Sequence, residues 1–151
     1  MSIKEIDPRG PRFGAGISSV LLLTVIYLSL AKDTFPAALS LLSVIVALFV
    51  VGTIFGNAKH PYGYIYKAVV RPFLKAPKVL EDVRPLRFAQ LVGLIVTGTA
   101  LTFGLLGFDF RLGLVIAASA AFLAAFLNVT FAYCLGCVIW VQLARAGLIK
   151  A

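Results

Sequence analysis

The sequence is short of charge, and shortest of negative charge. Only 13% of its 151 residues are Asp, Glu, Lys or Arg, and six are acidic. A soluble domain carries about 25% charged residues. An ordinary water-soluble enzyme and a disordered tail are therefore both excluded. Catalytic signatures are also missing. There is no GxSxG elbow and no buried carboxylate pair. A Walker loop and a GxGxxG turn are absent too. Histidine occurs once and cysteine twice. Two Cys do not make a disulfide framework.

What remains is grease. Hydrophobic residues make up 61% of the chain and the mean hydropathy is +1.01. Four stretches carry no Asp, Glu, Lys or Arg: Phe13–Ala31, Thr34–Ala58, Phe88–Phe108 and Leu112–Ala144, of 19, 25, 21 and 33 residues. About 20 apolar residues cross the hydrocarbon as a helix. Backbone groups in lipid must be bonded within the segment, so all four read as helices. The alternation of a membrane β-barrel is absent. Ser29-Leu30-Ala31 also fits a leader-cleavage pattern; the expectation is that this first run is retained as a span. None of the runs contains Asp, Glu, Lys or His, which argues against an intramembrane proton relay.

Lys32-Asp33 and Gly107–Arg111 are tight turns, so the expected fold is an all-α membrane protein of four transmembrane helices in two tandem hairpins. The whole chain, 1–151, reads as one domain. Twelve basic residues fall on one side: Lys4, Arg9 and Arg12, seven in the middle connection, then Arg145 and Lys150. The turns carry only Lys32 and Arg111. Positive residues stay inside, so both termini and the long connection are expected in the cytoplasm. The net charge of +8 is then mostly an orientation signal toward anionic lipid heads. Nucleic acid is not an expected partner, because no recognised motif accompanies the basic residues.

The chain also repeats itself. Shifted by 75 positions, Asp7, Arg9, Arg12 and Phe13 match Asp82, Arg84, Arg87 and Phe88, and Thr24 matches Thr99. Residues 7–81 and 82–151 read as a 2+2 repeat about an axis along the membrane normal. The offset sets His60-Pro61-Tyr62 against Leu135-Gly136-Cys137. Pro61 breaks the first copy, and Gly136 tolerates a bend in the second. The last run would extend about 50 Å as one helix, well beyond the hydrocarbon. A break is therefore expected near Tyr133–Cys137, with Val138–Ala146 along the inner surface. Tyr62, Ile65, Tyr66, Val69, Val70, Phe73 and Leu74 recur at helical spacing opposite Lys67, Arg71 and Lys75. This predicts a cytoplasmic interfacial amphipathic helix, or one packed on the protein's own underside.

Cys134-Leu135-Gly136-Cys137 is the segment with chemistry in it. Its spacing lets one sulfur attack and the other resolve. A helix starting near Gly136 would favour a thiolate at Cys134. Apolar packing and soft-metal binding are the alternatives. His60 is a candidate to assist thiol deprotonation or to serve as a third metal ligand, against a solvated interface residue. Ala117, Ala121 and Ala125 recur every fourth residue, which allows close helix approach in the monomer or at a homodimer seam. Asn128 is expected to bond to a neighbouring helix.

Ile6-Asp7-Pro8-Arg9-Gly10-Pro11-Arg12-Phe13, His60-Pro61-Tyr62-Gly63, Val70-Arg71-Pro72, Arg87-Phe88-Ala89-Gln90 and Cys134-Leu135-Gly136-Cys137 together resemble the bacterial "domain of unknown function 4395" membrane proteins. The resemblance covers nearly the whole chain. It implies a bacterial plasma-membrane protein of four spans, with CLGC as a family feature. It also implies thioredoxin-like or sulfurtransferase partners. Many relatives of this kind carry an acid after the second Cys and an aromatic two residues further on; here those positions are Val138 and Trp140.

The expected function is a membrane thiol protein in which Cys134 attacks a disulfide or persulfide and Cys137 resolves it. Electrons would pass to a thioredoxin-like protein or a quinone, and no resident cofactor is required. An accessory subunit of a larger membrane complex and a sulfur-anion transporter are the rival readings.

Overall fold

The computed structural model describes residues 5–56 and 59–150. Lys4, counted above among the basic residues, lies outside them, as do Asn57 and Ala58. Six α-helices follow in order: α1 (Arg9–Ser29), α2 (Phe35–Phe55), α3 (Pro61–Ile65), α4 (Val83–Leu105), α5 (Arg111–Phe131) and α6 (Leu135–Arg145). Four of the helices are long and apolar enough to cross a membrane, and they have 21, 21, 23 and 24 residues once the turn before α5 is included. At 1.5 Å per residue each rises about 32–36 Å. The chain is thus built as a multi-pass membrane protein. Helices α1 and α4 begin before the uncharged runs do, because Arg9, Arg12, Arg84 and Arg87 are helical residues at the spans' ends. Long basic side chains reach outward there while the backbone stays bonded.

The two short connections close tightly. Thr34 Oγ1 donates to Leu28 O at 2.6 Å and to Ala31 O at 3.3 Å, which satisfies carbonyls at the end of α1. Between α4 and α5, Gly107 adopts φ +121°, and Phe108–Phe110 form a single 3-10 turn. The tips of the two hairpins touch, with the Phe35 and Phe108 rings edge-to-face at 5.3 Å.

Packing crosses between hairpins. α1 lies on α5 and α2 lies on α4, while α1–α2 and α4–α5 close the ring. Leu22, Val25, Leu42, Ile45, Ala100, Leu114 and Ala118 fill the middle. Val20, Leu23, Tyr27, Val44, Ile95, Ile116 and Leu123 face outward. A girdle of large exposed apolar side chains is what a bilayer solvates and water does not.

The opposite end carries the polar joinery. Glu5–Ile6 (β1) and Glu81–Asp82 (β2) form a small antiparallel ladder, with Glu5 opposite Asp82 and Ile6 opposite Glu81. Ile6 therefore pairs with the residue 75 positions later. Beside it, in each of two Asp-x-Arg loops the carboxylate accepts from the backbone N and the Nε of the Arg two residues on. Asp7 Oδ1 accepts from Arg9 N at 3.0 Å and Nε at 3.1 Å. Asp82 accepts from Arg84 N and Nε, both at 2.9 Å. Burial raises the Asp7 pKa, but hydrogen bonds from Arg9 and Tyr66 outweigh it and hold the carboxyl below its ordinary range. Arg87 donates to Ile54 O and so caps the end of α2.

After α3 the chain tightens unevenly, through a π turn at Tyr66–Val70 and a 3-10 turn at Arg71–Phe73. Pro72 has no N–H to give an α-helix here. The apolar positions of this segment split. Tyr66 is buried, against Gly10 and Phe13, and its hydroxyl donates to Asp7 Oδ2 at 3.1 Å. Tyr64, Ile65, Val69 and Phe73 are exposed.

Candidate functional site around Cys134 and Cys137

The last apolar run breaks as its length requires. α5 stops at Phe131, and Ala132 takes a left-handed φ of 56°. Tyr133 N donates to Leu127 O at 3.3 Å, the closing bond of the helix. α6 restarts at Leu135 with Cys134 as its N-cap. The break thus falls at Ala132–Cys134, at the near edge of the expected segment. Thr130, Cys134 and Cys137 do not share one continuous helical stripe, because the helix is interrupted between them.

Cys134 caps through sulfur. Cys137 N–H donates to Cys134 Sγ at 3.3 Å, and Val138 N donates to Cys134 O at 3.0 Å. The two sulfurs are paired as a disulfide, with Cα atoms 5.2 Å apart. The Cys137 amide and the positive end of α6 thus meet the Cys134 sulfur.

Gly136 serves a different purpose from a bend. It is helical and buried, and a Cβ there would lie 2.5 Å from Ala89 Cα and 2.6 Å from Ala89 Cβ. Only a glycine lets the start of α6 rest on the α4 backbone. Further along, Arg84 stands over the Trp140 ring at 5.8 Å and holds the same two helices together.

Both sulfurs are half-buried. On the outer side they line an open groove with Glu81, Asp82, Gln142 and Arg145. On the inner side Cys134 also lines a cavity of about 840 Å³ between the hairpins. Ile45 and Ala121 are among its deepest walls, ten residues from the ends of α2 and α5. The cavity therefore reaches about 15 Å into the bundle.

His60 lines the same cavity and is 4% exposed, not solvated. It caps α3: Nδ1 accepts from Tyr62 N at 3.2 Å, and Nε2 lies 3.0 Å from Leu48 O. Those two bonds require the neutral ring with its proton on Nε2. Burial pulls the pKa below its ordinary value of 6.5, against the opposing pull of the Leu48 carbonyl. The ring fits because α2 has glycine opposite it. A Cβ on Gly52 would sit 2.8 Å from Gln90 Oε1 and 3.2 Å from His60 Cδ2. Among the described residues no three His, Cys, Asp or Glu side chains gather as a metal set.

The protein-family comparison matches residues 6–145 to a family described as "Domain of unknown function (DUF4395)". The chain belongs to the DUF4395 family. Neither a curated protein nor a solved structure matches it. The matched span takes in all six helices of this DUF4395 chain and both helix breaks.

Sequence reasoning singled out Cys134, Cys137 and His60, and the fold brings Cys134 and His60 to one cavity. It missed Ser18, Tyr62 and Gln90, which also line that space. The Tyr62 hydroxyl bonds Ser18, and burial raises its pKa. Asn128 was expected to bond a neighbouring helix. Instead it lines the cavity and makes no hydrogen bond among the described residues. The small residues Ala120, Ala124 and Ala125 beside it leave that space. Their presence was the one signal of a cavity, and in sequence it reads equally as close packing.

Proposed function

We propose that this chain is a bacterial plasma-membrane thiol protein. Its terminus-bearing end faces the cytoplasm, and Cys134 and Cys137 cycle between dithiol and disulfide. The observation that carries the reading is Cys134 capping α6 through its sulfur at a helix break, beside an open groove. In the reduced form the Cys134 thiolate attacks a partner disulfide. A mixed disulfide forms and one partner thiolate leaves. The Cys137 thiolate then attacks Cys134 Sγ, the second partner thiolate leaves, and the intramolecular disulfide remains. With a persulfide partner, Cys134 takes the outer sulfur, and Cys137 displaces it as hydrosulfide. The soluble partner is of thioredoxin-like or sulfurtransferase type. His60 is a positioning residue, since both ring nitrogens are engaged in holding α3 to α2.

We also infer that the fold is a duplicated hairpin. The matching Asp-x-Arg loops, the crosswise contacts and the pairing of Ile6 with Glu81 support it. The exposed row Tyr64, Ile65, Val69 and Phe73, with Lys67 and Arg71 nearby, supports an interfacial role for the segment after His60.

Thiol labelling in inside-out membrane vesicles tests the thiol reading. Both cysteines should react with a membrane-impermeant maleimide after reduction. Cys134→Ser should abolish exchange with glutathione disulfide, and Cys137→Ser should trap a mixed disulfide. If neither thiol reacts after reduction, the reading is overturned.

A further inference from the structure

The sulfur pair has two unlike faces, and the second has no use in exchange with a soluble protein. The groove is open and lies at the charged end of the bundle, beside Glu81, Asp82 and Arg145, where a partner protein can dock. The cavity reaches about 15 Å in between α1, α2, α4 and α5, and opens at the end of the bundle that carries Asp7, Lys67 and Arg71. Of the two cysteines, only Cys134 reaches both.

The walls of the cavity define what fits. Charged groups, Glu5, Asp7, Lys67, Arg71 and Arg87, occur only where the chain leaves the spans. Deeper in, Ile45, Leu48, Phe49 and Val96 are apolar, and the polar residues Ser18, Gln90 and Asn128 are neutral. A volume of about 840 Å³ lies within the range of small-molecule sites. The occupant is therefore neutral, mostly apolar and able to accept a hydrogen bond. Asn128 supplies a donor: it lines the cavity six residues before Cys134, and its amide has no hydrogen-bond partner among the described residues. A ligand carbonyl in the cavity would give that amide an acceptor.

We propose that this cavity binds the ring of a membrane quinone, which accepts the two electrons of the Cys134–Cys137 dithiol. The inference rests on the thiol reading above with its exchange run in reverse: a soluble dithiol reduces the Cys134–Cys137 disulfide through the groove, and the quinone, not a partner disulfide, accepts the electrons. The dithiol loses two electrons and two protons as the S–S bond forms. The quinone gains both, and the protons end on the two oxygens of the quinol. Asn128 donates to one quinone carbonyl, and the apolar walls exclude water. Electrons thus enter from a soluble dithiol through the groove and leave into the bilayer through the cavity.

The test uses the full-length reduced protein in phosphatidylethanolamine–phosphatidylglycerol liposomes with decylubiquinone. The ring of that probe is fully substituted, so thiols do not add to it. One quinol should form per disulfide, and none with Cys134→Ser. Asn128→Leu should raise the KM for decylubiquinone about tenfold, and Ala124→Phe should block its reduction. Both variants should keep the wild-type rate of exchange with glutathione disulfide, which also shows that they are folded. If the wild type exchanges with glutathione disulfide but reduces no quinone, the quinone proposal is overturned and the thiol reading stands. If it does neither, both fall. If both variants reduce quinone at the wild-type rate, the cavity is not the site.

Discussion

The two helix breaks of this protein are the same device put to different ends. In each, a long span stops, an extended residue follows, and that residue's side chain caps the next helix. At the first break the cap is His60, a rigid ring with one nitrogen given to Tyr62 and the other to Leu48. At the second it is Cys134, a single sulfur that accepts from Cys137 N–H and is bonded to the Cys137 sulfur. The first cap joins α3 to α2 and is shut away. The second faces both a groove and a cavity. The same capping position thus holds a fully engaged ring at one break and a half-buried sulfur at the other.

The sharpest way to break this contrast is to exchange the losses. Cys134→Ser keeps a capping oxygen, so its stability should change little while thiol exchange falls at least a hundredfold. His60→Ala should do the reverse. It removes a cap and the extra hydrogen bond to the Leu48 carbonyl, a cost of about 1–2 kcal/mol in detergent unfolding, with exchange largely retained. Equal loss of exchange in both variants would erase the distinction.

Glycine substitutions give the next largest effect. Gly136→Val drives a side chain into the Ala89 backbone, so α6 must lift from α4, at about 1–3 kcal/mol. Gly52→Ala meets the end of a flexible Gln90 side chain and should cost less. Unfolding curves of the two variants rank them.

Acid should separate the breaks as well. The folded His60 pKa lies below its unfolded value of 6.5, so the unfolded chain binds the proton more readily. Stability from the neutral ring is fully present above pH 6.5 and is lost as the pH falls below that value toward the folded pKa. His60→Asn should flatten that part of the unfolding profile. The smallest effect is expected at Ala132, whose left-handed backbone suits glycine. Ala132→Gly should be neutral or stabilising by up to about 1 kcal/mol, read in the same unfolding assay.

Much of this was legible before any coordinates. Spans reveal themselves because lipid rejects charge and fixes length, so four uncharged runs sufficed. The second break was legible because a 33-residue run overshoots the hydrocarbon. Side-chain partners were less so. A lone His60 between basic residues reads as wet, and only the fold shows Leu48 reaching it from twelve residues away. Gly136 reads as a hinge, since its neighbour Ala89 is 47 positions distant in sequence. The cavity was hidden because alanine both permits close packing and leaves room.

The short ladder between Glu5–Ile6 and Glu81–Asp82 has a consequence for how the molecule can be made. It stitches the start of one half to the start of the other, and the stretch from Lys75 to Val79 between them is largely exposed. A polypeptide severed there would leave two fragments, each able to insert its own pair of spans in the same direction. Co-expressed, they carry in that seam the means to find their register, and the sulfur-bearing fragment could be varied while its companion stays constant.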